Sequence, residues 1–123
     1  MNQALRIPVD KPTFYRWVVE QEGRFELENG RVVDRTGASK NHNRLVTNLI
    51  VELHRKLDAV VWSITACYMA VEIGDNVRFP DVVVERLDAP GSELVAGQPA
   101  VLVEVLSPSS VARHMRGSRR RGI

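Results

Sequence analysis

Two carboxylates lie inside short segments that otherwise have the composition of buried strands. Asp81 directly precedes three valines in FPDVVVER, and Glu104 lies within the apolar run AVLVEVL. A buried carboxylate is strongly disfavoured unless it is paired, protonated or bound to a metal. These two acids are therefore the residues whose placement first suggests chemistry.

Two ionised carboxylates on neighbouring strands would either share a proton or hold a cation between them. At about 4 Å and an effective dielectric constant near 20, their repulsion would be about 4 kcal/mol. Mg²⁺ is commonly held by one or two carboxylates with water and phosphate oxygens, and it then promotes phosphodiester hydrolysis. Alternatively, the two-residue period of a strand turns both acids to solvent, and the spacing alone does not decide between these interpretations.

The first half of the sequence predicts two helices and a hairpin. Asp10 or Thr13 is a suitable cap for a helix through FYRWVVEQE, and Gly23 follows that segment. Asn29-Gly30 between two β-prone runs predicts a tight hairpin turn. A second helix is the clearest element, because its apolar residues recur at helical spacing. This stripe comprises Leu45, Val46, Leu49, Ile50, Leu53 and Leu57.

Strand patterns dominate the second half. VVWSITACYMAVEI predicts one strand, or two with a break near Thr65, and FPDVVVER and AVLVEVL predict two more. The apolar run around Glu104 is typical of a central strand covered on both faces. Residues 107–110, SPSS, favour the start of a third helix. This order of elements predicts an α+β fold in which helices pack on a sheet.

The composition is that of one ordinary globular domain. The chain has 123 residues, of which 44% are hydrophobic and 26% charged, so disorder is not expected. Its one cysteine, Cys67, excludes an intrachain disulfide and a cysteine-based zinc site, and favours a cytoplasmic setting. No apolar stretch approaches the roughly 20 residues of a membrane helix, and the N-terminal segment lacks the apolar core of a signal peptide.

The net charge of +2 conceals a difference between two parts of the chain. Residues 113–123 hold five arginines and no acid, whereas residues 1–112 hold 12 basic and 15 acidic residues, a net charge of −3. A basic run can bind nucleic acid through phosphates, although most such runs are solvated termini. We therefore predict a domain over residues 1–112 and a disordered basic tail over residues 113–123.

Four segments in order resemble the Uma2 family (DUF820), a group within the restriction-endonuclease-like PD-(D/E)XK nuclease superfamily. They are GRFELENGRVV, ASKNHNRLVTNLIVELHRKL, FPDVVVE and VLVEVLSPSS. The resemblance covers about residues 10–112, which is most of the chain. It implies a restriction-endonuclease-like core with a mixed β-sheet flanked by helices, and an endonuclease that hydrolyses DNA with Mg²⁺ or Mn²⁺.

The resemblance also assigns roles to individual residues. Asp81 and Glu104 correspond to catalytic, metal-binding acids, and Glu104 would also orient the attacking water. Glu26 corresponds to an acid of the first hairpin that completes the metal shell, and the Val105 carbonyl to a further ligand. His42, at the start of the second helix, would support the site or contact phosphate. Taken without the resemblance, Glu26 fits the polar position of an alternating strand, and His42 fits a structural residue.

The sequence departs from the superfamily motif at one catalytic position. The motif has a lysine two residues after the second acid, where this chain has Leu106, and in the Uma2 group a lysine after SPS replaces it. No lysine follows Lys56, and the arginines at positions 119–121 stay protonated and cannot act as a base. Family members generally continue with a further helix and strands. We therefore expect that the C-terminal part is missing and that the surface it would cover favours a homodimer.

Three functions are compatible with these observations. The first is a metal-dependent endonuclease. The second is a catalytically inactive remnant that binds nucleic acid or protein, as the absent lysine suggests. The third is an interaction module that never bound a metal. Measuring cleavage and Mn²⁺ binding separates all three, because only the first predicts both and the third predicts neither.

Overall fold

Two helices and two sheets make up the part of the chain that the computed structural model describes, residues 8–106. The helices are α1 (Lys11–Val18) and α2 (Lys40–Lys56). The strands are β1 (Phe25–Glu28), β2 (Arg31–Asp34), β3 (Trp62–Ala66), β4 (Val71–Ile73), β5 (Asn76–Arg78), β6 (Val82–Arg86) and β7 (Pro99–Val103). The predicted third helix at residues 107–110 and the predicted tail at residues 113–123 lie outside the described residues.

The strands form two sheets with different partners. Sheet A has the order β2-β1-β5-β4, and sheet B has the order β3-β6-β7. All neighbouring strands in both sheets are antiparallel, and an isolated parallel bridge joins Ala70 to Val95. The α+β class is confirmed. Instead of the expected single mixed sheet, residues 8–106 contain two antiparallel sheets.

The first helix is short and packs one aromatic side chain into the core of sheet A. The Asp10 carboxylate accepts a hydrogen bond from the Thr13 amide at 2.9 Å, so Asp10 is the helix cap. The helix ends at Val18, well before Gly23, and its one buried residue is Phe14. The buried core around this residue comprises Val9, Phe14, Phe25, Leu27, Ala70, Val77 and Phe79.

The hairpin turn is confirmed, whereas the strands after α2 differ from the prediction. Asn29 and Gly30 both have positive φ angles, 53° and 76°, as the tight turn between β1 and β2 requires. The segment VVWSITACYMAVEI forms two strands, but the break lies at residues 67–70 and the strands belong to different sheets. Strand β5 was not predicted, because NVR is too short and polar to show a pattern. Its Val77 is nevertheless buried opposite Leu27.

The second helix lies at the surface. Its N-terminus is capped by Ser39, whose hydroxyl accepts a hydrogen bond from the His42 amide at 3.0 Å. None of its residues is buried, and Leu45 remains 56% exposed. The predicted apolar stripe is therefore only partly covered within residues 8–106. Neither helix of this range has the length and apolarity needed to cross a membrane.

Strand β7 lies at the edge of sheet B among the described residues, which corrects the prediction of a central strand. Its neighbour in the sheet is β6, and Val101 and Leu102 are 45% and 44% exposed. Successive residues of a strand point to opposite faces. Neither face of β7 is therefore fully covered by residues 8–106, although its apolar composition had suggested that both would be.

Glu72 connects α1 to the hairpin formed by β4 and β5. One carboxylate oxygen accepts a hydrogen bond from the Tyr15 hydroxyl at 2.7 Å, and the other accepts one from Lys11 Nζ at 3.3 Å. The Tyr15 hydrogen bond is the main cause that lowers the pKa of Glu72. Partial burial opposes this effect, and Lys11 adds to it. The folded state therefore favours the ionised form of Glu72.

Replacing Glu72 should reduce stability at neutral pH and have no effect in strong acid. A carboxyl whose pKa is lower in the folded chain stabilises the fold above its unfolded pKa, and this contribution disappears as pH falls through the folded pKa. Because the Glu72 side chain is 35% exposed, solvent screening limits the loss for Glu72→Gln to about 0.5 kcal/mol. Urea unfolding from pH 7 into acid would measure it, with exposed Glu93→Gln as the control. A difference that does not change with pH would contradict this assignment.

Candidate active site

Asp81 and Glu104 face each other at the junction of β6 and β7. Strand β6 begins at Val82 and β7 ends at Val103, and these two residues are antiparallel partners. One step beyond this pair, Asp81 and Glu104 are the next residues in register, and residues directly opposite each other share a sheet face. The acids therefore lie at strand ends, rather than inside strands as their sequence context had suggested, and the register brings them together.

Asp81 is almost fully buried, with 2% of its surface exposed. Its Oδ2 accepts a hydrogen bond from the Val105 amide at 2.7 Å and lies 3.2 Å from Nε2 of His42. Its Oδ1 lies 3.4 Å from Nη1 of Arg24. Three separate segments thus hold one carboxylate: the chain after β7, the first turn of α2, and the residue before β1. The predicted supporting residue His42 does contact the predicted catalytic residue Asp81.

Glu26 is also buried, but its carboxylate is bound by other partners. Its Oε2 accepts a hydrogen bond from the Phe79 amide at 2.8 Å, and its Oε1 accepts one from Nε of Arg35 at 3.1 Å. Glu26 thereby fixes the segment that leads into Asp81. Within residues 8–106, no group of three or more His, Cys, Asp and Glu side chains is arranged to hold a metal ion. The role of Glu26 as a third metal ligand stays a prediction.

The pKa of the Glu104 carboxyl group is raised by its surroundings. The residue as a whole is exposed, yet local burial of the carboxyl is the main cause that raises its pKa to about 7. The negative charges of Asp81 and Glu26 raise this pKa further, whereas Arg24 lowers it. Burial and the two neighbouring carboxylates thus both favour the neutral form of Glu104, and a proton or a bound cation would reduce the repulsion between the acids.

The donor set at this junction suits a hard divalent cation. Asp81 and Glu104 offer carboxylate oxygens, and Mg²⁺ is commonly held by one or two carboxylates, with water and substrate phosphate completing its shell. The residues present therefore fit a two-carboxylate metal site, for which the Val105 carbonyl remains a predicted further ligand.

Sequence reasoning missed the two arginines that contact the buried acids. Arg24 contacts Asp81, and Arg35 contacts both Glu26 and Glu28. The segment GRFELE indicated this in part for Arg24. Residues two apart in an extended segment share a face, so Arg24 is expected on the same face as Glu26. Nothing in the local sequence showed that Asp81, 57 residues further along, would lie on that side.

A protein-family model covers most of the chain. The Uma2 model, described as "Putative restriction endonuclease", matches residues 12–121. The chain belongs to the Uma2 family. The Uma2 chain also matches the crystal structure of a protein from Anabaena variabilis ATCC 29413, described as a putative nuclease belonging to DUF820, with a TM-score of 0.72 and 17% identity. No curated protein matches it.

The structural match is partial in length. It covers 89% of this Uma2 chain and 65% of the Anabaena variabilis chain, so the Uma2 chain spans just under two thirds of that structure. At 17% identity the likeness shows the fold, which is that of a restriction-endonuclease-like nuclease. The predicted resemblance to Uma2 and the predicted fold are confirmed. The catalytic and metal-binding roles of Asp81, Glu104, Glu26 and Val105 stay predictions.

Proposed function

We propose that this Uma2 chain is a metal-dependent endonuclease that hydrolyses phosphodiester bonds in DNA. The observation that carries the proposal is the pairing of Val82 with Val103, which sets Asp81 opposite Glu104. A buried aspartate beside a second carboxylate suits a divalent cation, and this part of the proposal does not depend on the family. Family membership supports nuclease activity independently.

The residues of the junction have different roles in this proposal. Asp81 and Glu104 hold Mg²⁺ or Mn²⁺, which when bound would lower the pKa of a bound water and stabilise charge on the phosphodiester. Asp81 is preorganised by the Val105 amide at 2.7 Å and by His42 at 3.2 Å. Glu104 is the more accessible acid and orients the attacking water. Glu26 supports both by holding the Phe79 amide.

DNA is the proposed substrate, because the family is described as a restriction endonuclease. The first two turns of α2, from which His42 reaches Asp81, also carry the exposed side chains of Lys40 and Arg44. Basic side chains beside a catalytic site are suited to phosphate contacts, which position nucleic acid without reading its sequence. Lys40 and Arg44 are therefore proposed to contact the DNA backbone near the scissile phosphate.

A cleavage assay on supercoiled plasmid DNA tests the proposal. We expect nicked and linear products with Mg²⁺ or Mn²⁺ and none with EDTA, because attack on the phosphodiester needs the metal-activated water. Calorimetry with Mn²⁺ alone should show binding to the same preparation. Cleavage that persists in EDTA, or the absence of cleavage with either metal ion, would overturn the proposal.

Leu106 favours a second function, in which the site binds metal and nucleic acid without cleaving it. The superfamily motif has a lysine at this position, whereas the Leu106 side chain can neither donate a hydrogen bond nor stabilise charge. The lysine after SPS that replaces it in the Uma2 group is also absent from residues 107–123. This alternative predicts Mn²⁺ binding and DNA binding in the same assay without products. Its DNA affinity should fall steeply as salt rises, because phosphate contacts release counterions.

A homodimer remains part of the proposal. Strand β7 presents Val101 and Leu102 on opposite faces, and its outer edge has no strand partner among the described residues. An apolar sheet edge of this kind is suited to pairing with another strand. A second copy of the chain would pair β7 with itself in an antiparallel arrangement, which sedimentation of the purified protein would detect as a dimer.

A further inference from the structure

The side chain of Arg24 is anchored beside Asp81. Its backbone is held by Thr36 and Arg35: the Arg24 amide donates to Thr36 Oγ1 at 2.9 Å, and the Arg24 carbonyl accepts from the Arg35 amide at 2.7 Å. Its Nη2 donates to the Phe79 carbonyl at 2.7 Å, which leaves Nη1 3.4 Å from Oδ1 of Asp81. The Arg24 guanidinium therefore places a positive charge beside the carboxylate that the proposed function uses.

The two oxygens of Asp81 differ in the contacts they already make. Oδ2 is contacted by the Val105 amide at 2.7 Å and by His42 Nε2 at 3.2 Å. A carboxylate oxygen has about two lone-pair positions, so Oδ2 has little capacity left for a metal ion. Oδ1 makes only the long 3.4 Å contact with Arg24 among the described residues. A divalent cation at Asp81 therefore has to take Oδ1, the oxygen that faces Arg24.

We propose that Arg24 is an internal counter-cation that competes with a divalent metal ion for Oδ1 of Asp81. This inference rests on the proposed metal-dependent function. A guanidinium stays protonated under all ordinary conditions, so its charge cannot be removed when a metal arrives. Two positive charges that share one carboxylate repel each other even at an effective dielectric constant of about 20. Arg24 therefore stabilises the metal-free protein and weakens metal binding.

The hydrogen bonds of Arg24 allow its guanidinium to move away from Oδ1 of Asp81. Its Nε is buried without a hydrogen-bond partner in residues 8–106, so the group is not held by a complete set of bonds. The Nη2 bond to Phe79 does not involve Asp81 and can persist while Nη1 withdraws from Oδ1. The exchange of Arg24 for a metal ion at Oδ1 thus needs only a small movement of one side chain.

Calorimetric titration with Mn²⁺ tests the inference without reference to cleavage. Arg24→Met removes the charge and keeps the apolar stem, and it should bind Mn²⁺ at least about tenfold more tightly than the unmodified protein, a difference of about 1.4 kcal/mol. Arg24→Lys keeps a charge and should stay within about threefold of the unmodified protein, because the repulsion remains. The matched control is Arg86→Met, which removes an exposed charge at the other end of β6 and should leave the Mn²⁺ affinity unchanged.

Thermal unfolding of the metal-free protein supplies a second measurement. Arg24→Met should lower the Tm, because the buried Asp81 carboxylate loses a neutralising charge. At the same saturating Mn²⁺ concentration, the Tm of Arg24→Met should rise by more than that of the unmodified protein, since a metal that binds only the folded state stabilises it by an amount that grows with the logarithm of its affinity. If Arg24→Met does not fold, Arg24→Gln replaces it, because glutamine keeps a donor for the Phe79 carbonyl. The same changes in Mn²⁺ affinity and in Tm are expected for Arg24→Gln.

The possible failures of this test are distinguishable. Equal or weaker Mn²⁺ binding by Arg24→Met, together with loss of binding in Asp81→Asn, would overturn the counter-cation role and leave the metal site intact. Absence of Mn²⁺ binding in every protein, Arg24→Met included, would overturn both the inference and the proposed metal-dependent function. Tighter binding by both Arg24→Met and Arg86→Met would assign the effect to overall charge and also overturn the inference.

Discussion

Asp81→Asn and Glu104→Gln should each abolish Mn²⁺ binding and slow DNA cleavage by at least about 100-fold, because removing even one preorganised charge-stabilising group typically costs that much. Both substitutions keep the size of the side chain and remove its charge. Because the proposed site has two carboxylates, losing either one removes half of its negative ligand charge. The nicking rate of supercoiled plasmid at fixed Mg²⁺, together with Mn²⁺ calorimetry, measures both effects.

Asp88→Asn is the control for these two variants. Asp88 is an exposed aspartate that pairs with Arg86 at 3.0 Å, beyond the end of β6 that is remote from Asp81. Its replacement removes the same charge from the protein and should leave metal binding and cleavage unchanged. Circular dichroism of each variant separates loss of function from loss of fold. Undiminished cleavage in both Asp81→Asn and Glu104→Gln would exclude the proposed site.

Phe14→Ala should lower the free energy of unfolding by about 3–5 kcal/mol, the usual range for truncating a buried aromatic side chain. Phe14 is 0% exposed and is the one buried residue of α1. Its ring lies 6.5 Å from that of Phe79 and 6.4 Å from that of Trp17. Removing it would leave a cavity between α1 and sheet A that these neighbours could fill only in part. Urea unfolding at neutral pH measures the loss.

Val19→Ala provides the comparison for Phe14→Ala. Val19 follows the last residue of the same helix but is 63% exposed, so its truncation should change the free energy of unfolding by no more than about 0.5 kcal/mol. A small domain is stable by only about 5–15 kcal/mol. Phe14→Ala therefore removes a large share of that stability. A loss below about 1 kcal/mol would show that α1 contributes little to the core.

The features that could be predicted from the sequence depend on residues close together along the chain. The caps at Asp10 and Ser39 each bond an amide three residues away, and the Asn29-Gly30 turn needs only its own two positive φ angles. The two acids of the candidate site were also visible in the sequence, because a carboxylate is out of place in an apolar run. The Uma2 resemblance added Glu26 and His42, which local patterns alone would not have selected.

The features that could not be predicted depend on pairing between distant segments. Strand β5 is defined by Val77 lying opposite Leu27, and NVR has no strand pattern of its own. The apolar composition of AVLVEVL predicted a central strand, but composition does not determine which neighbours a strand finds, and in residues 8–106 β7 lies at an edge. Arg24 reaches Asp81 from 57 residues away, so no local pattern could have assigned it to the site.

The sequence by itself determined which acids could form a site, and the tertiary structure decided that they meet. FPDVVVER and AVLVEVL each identify one carboxylate, but neither segment contains information about its position relative to the other. The pairing of Val82 with Val103 supplies it, because it makes Asp81 and Glu104 opposite residues on one face. A shift of one residue in this register would turn one of the two carboxylates to the other face of the sheet. Register is set by the packing of whole strands, and for that reason it appears only in the folded protein.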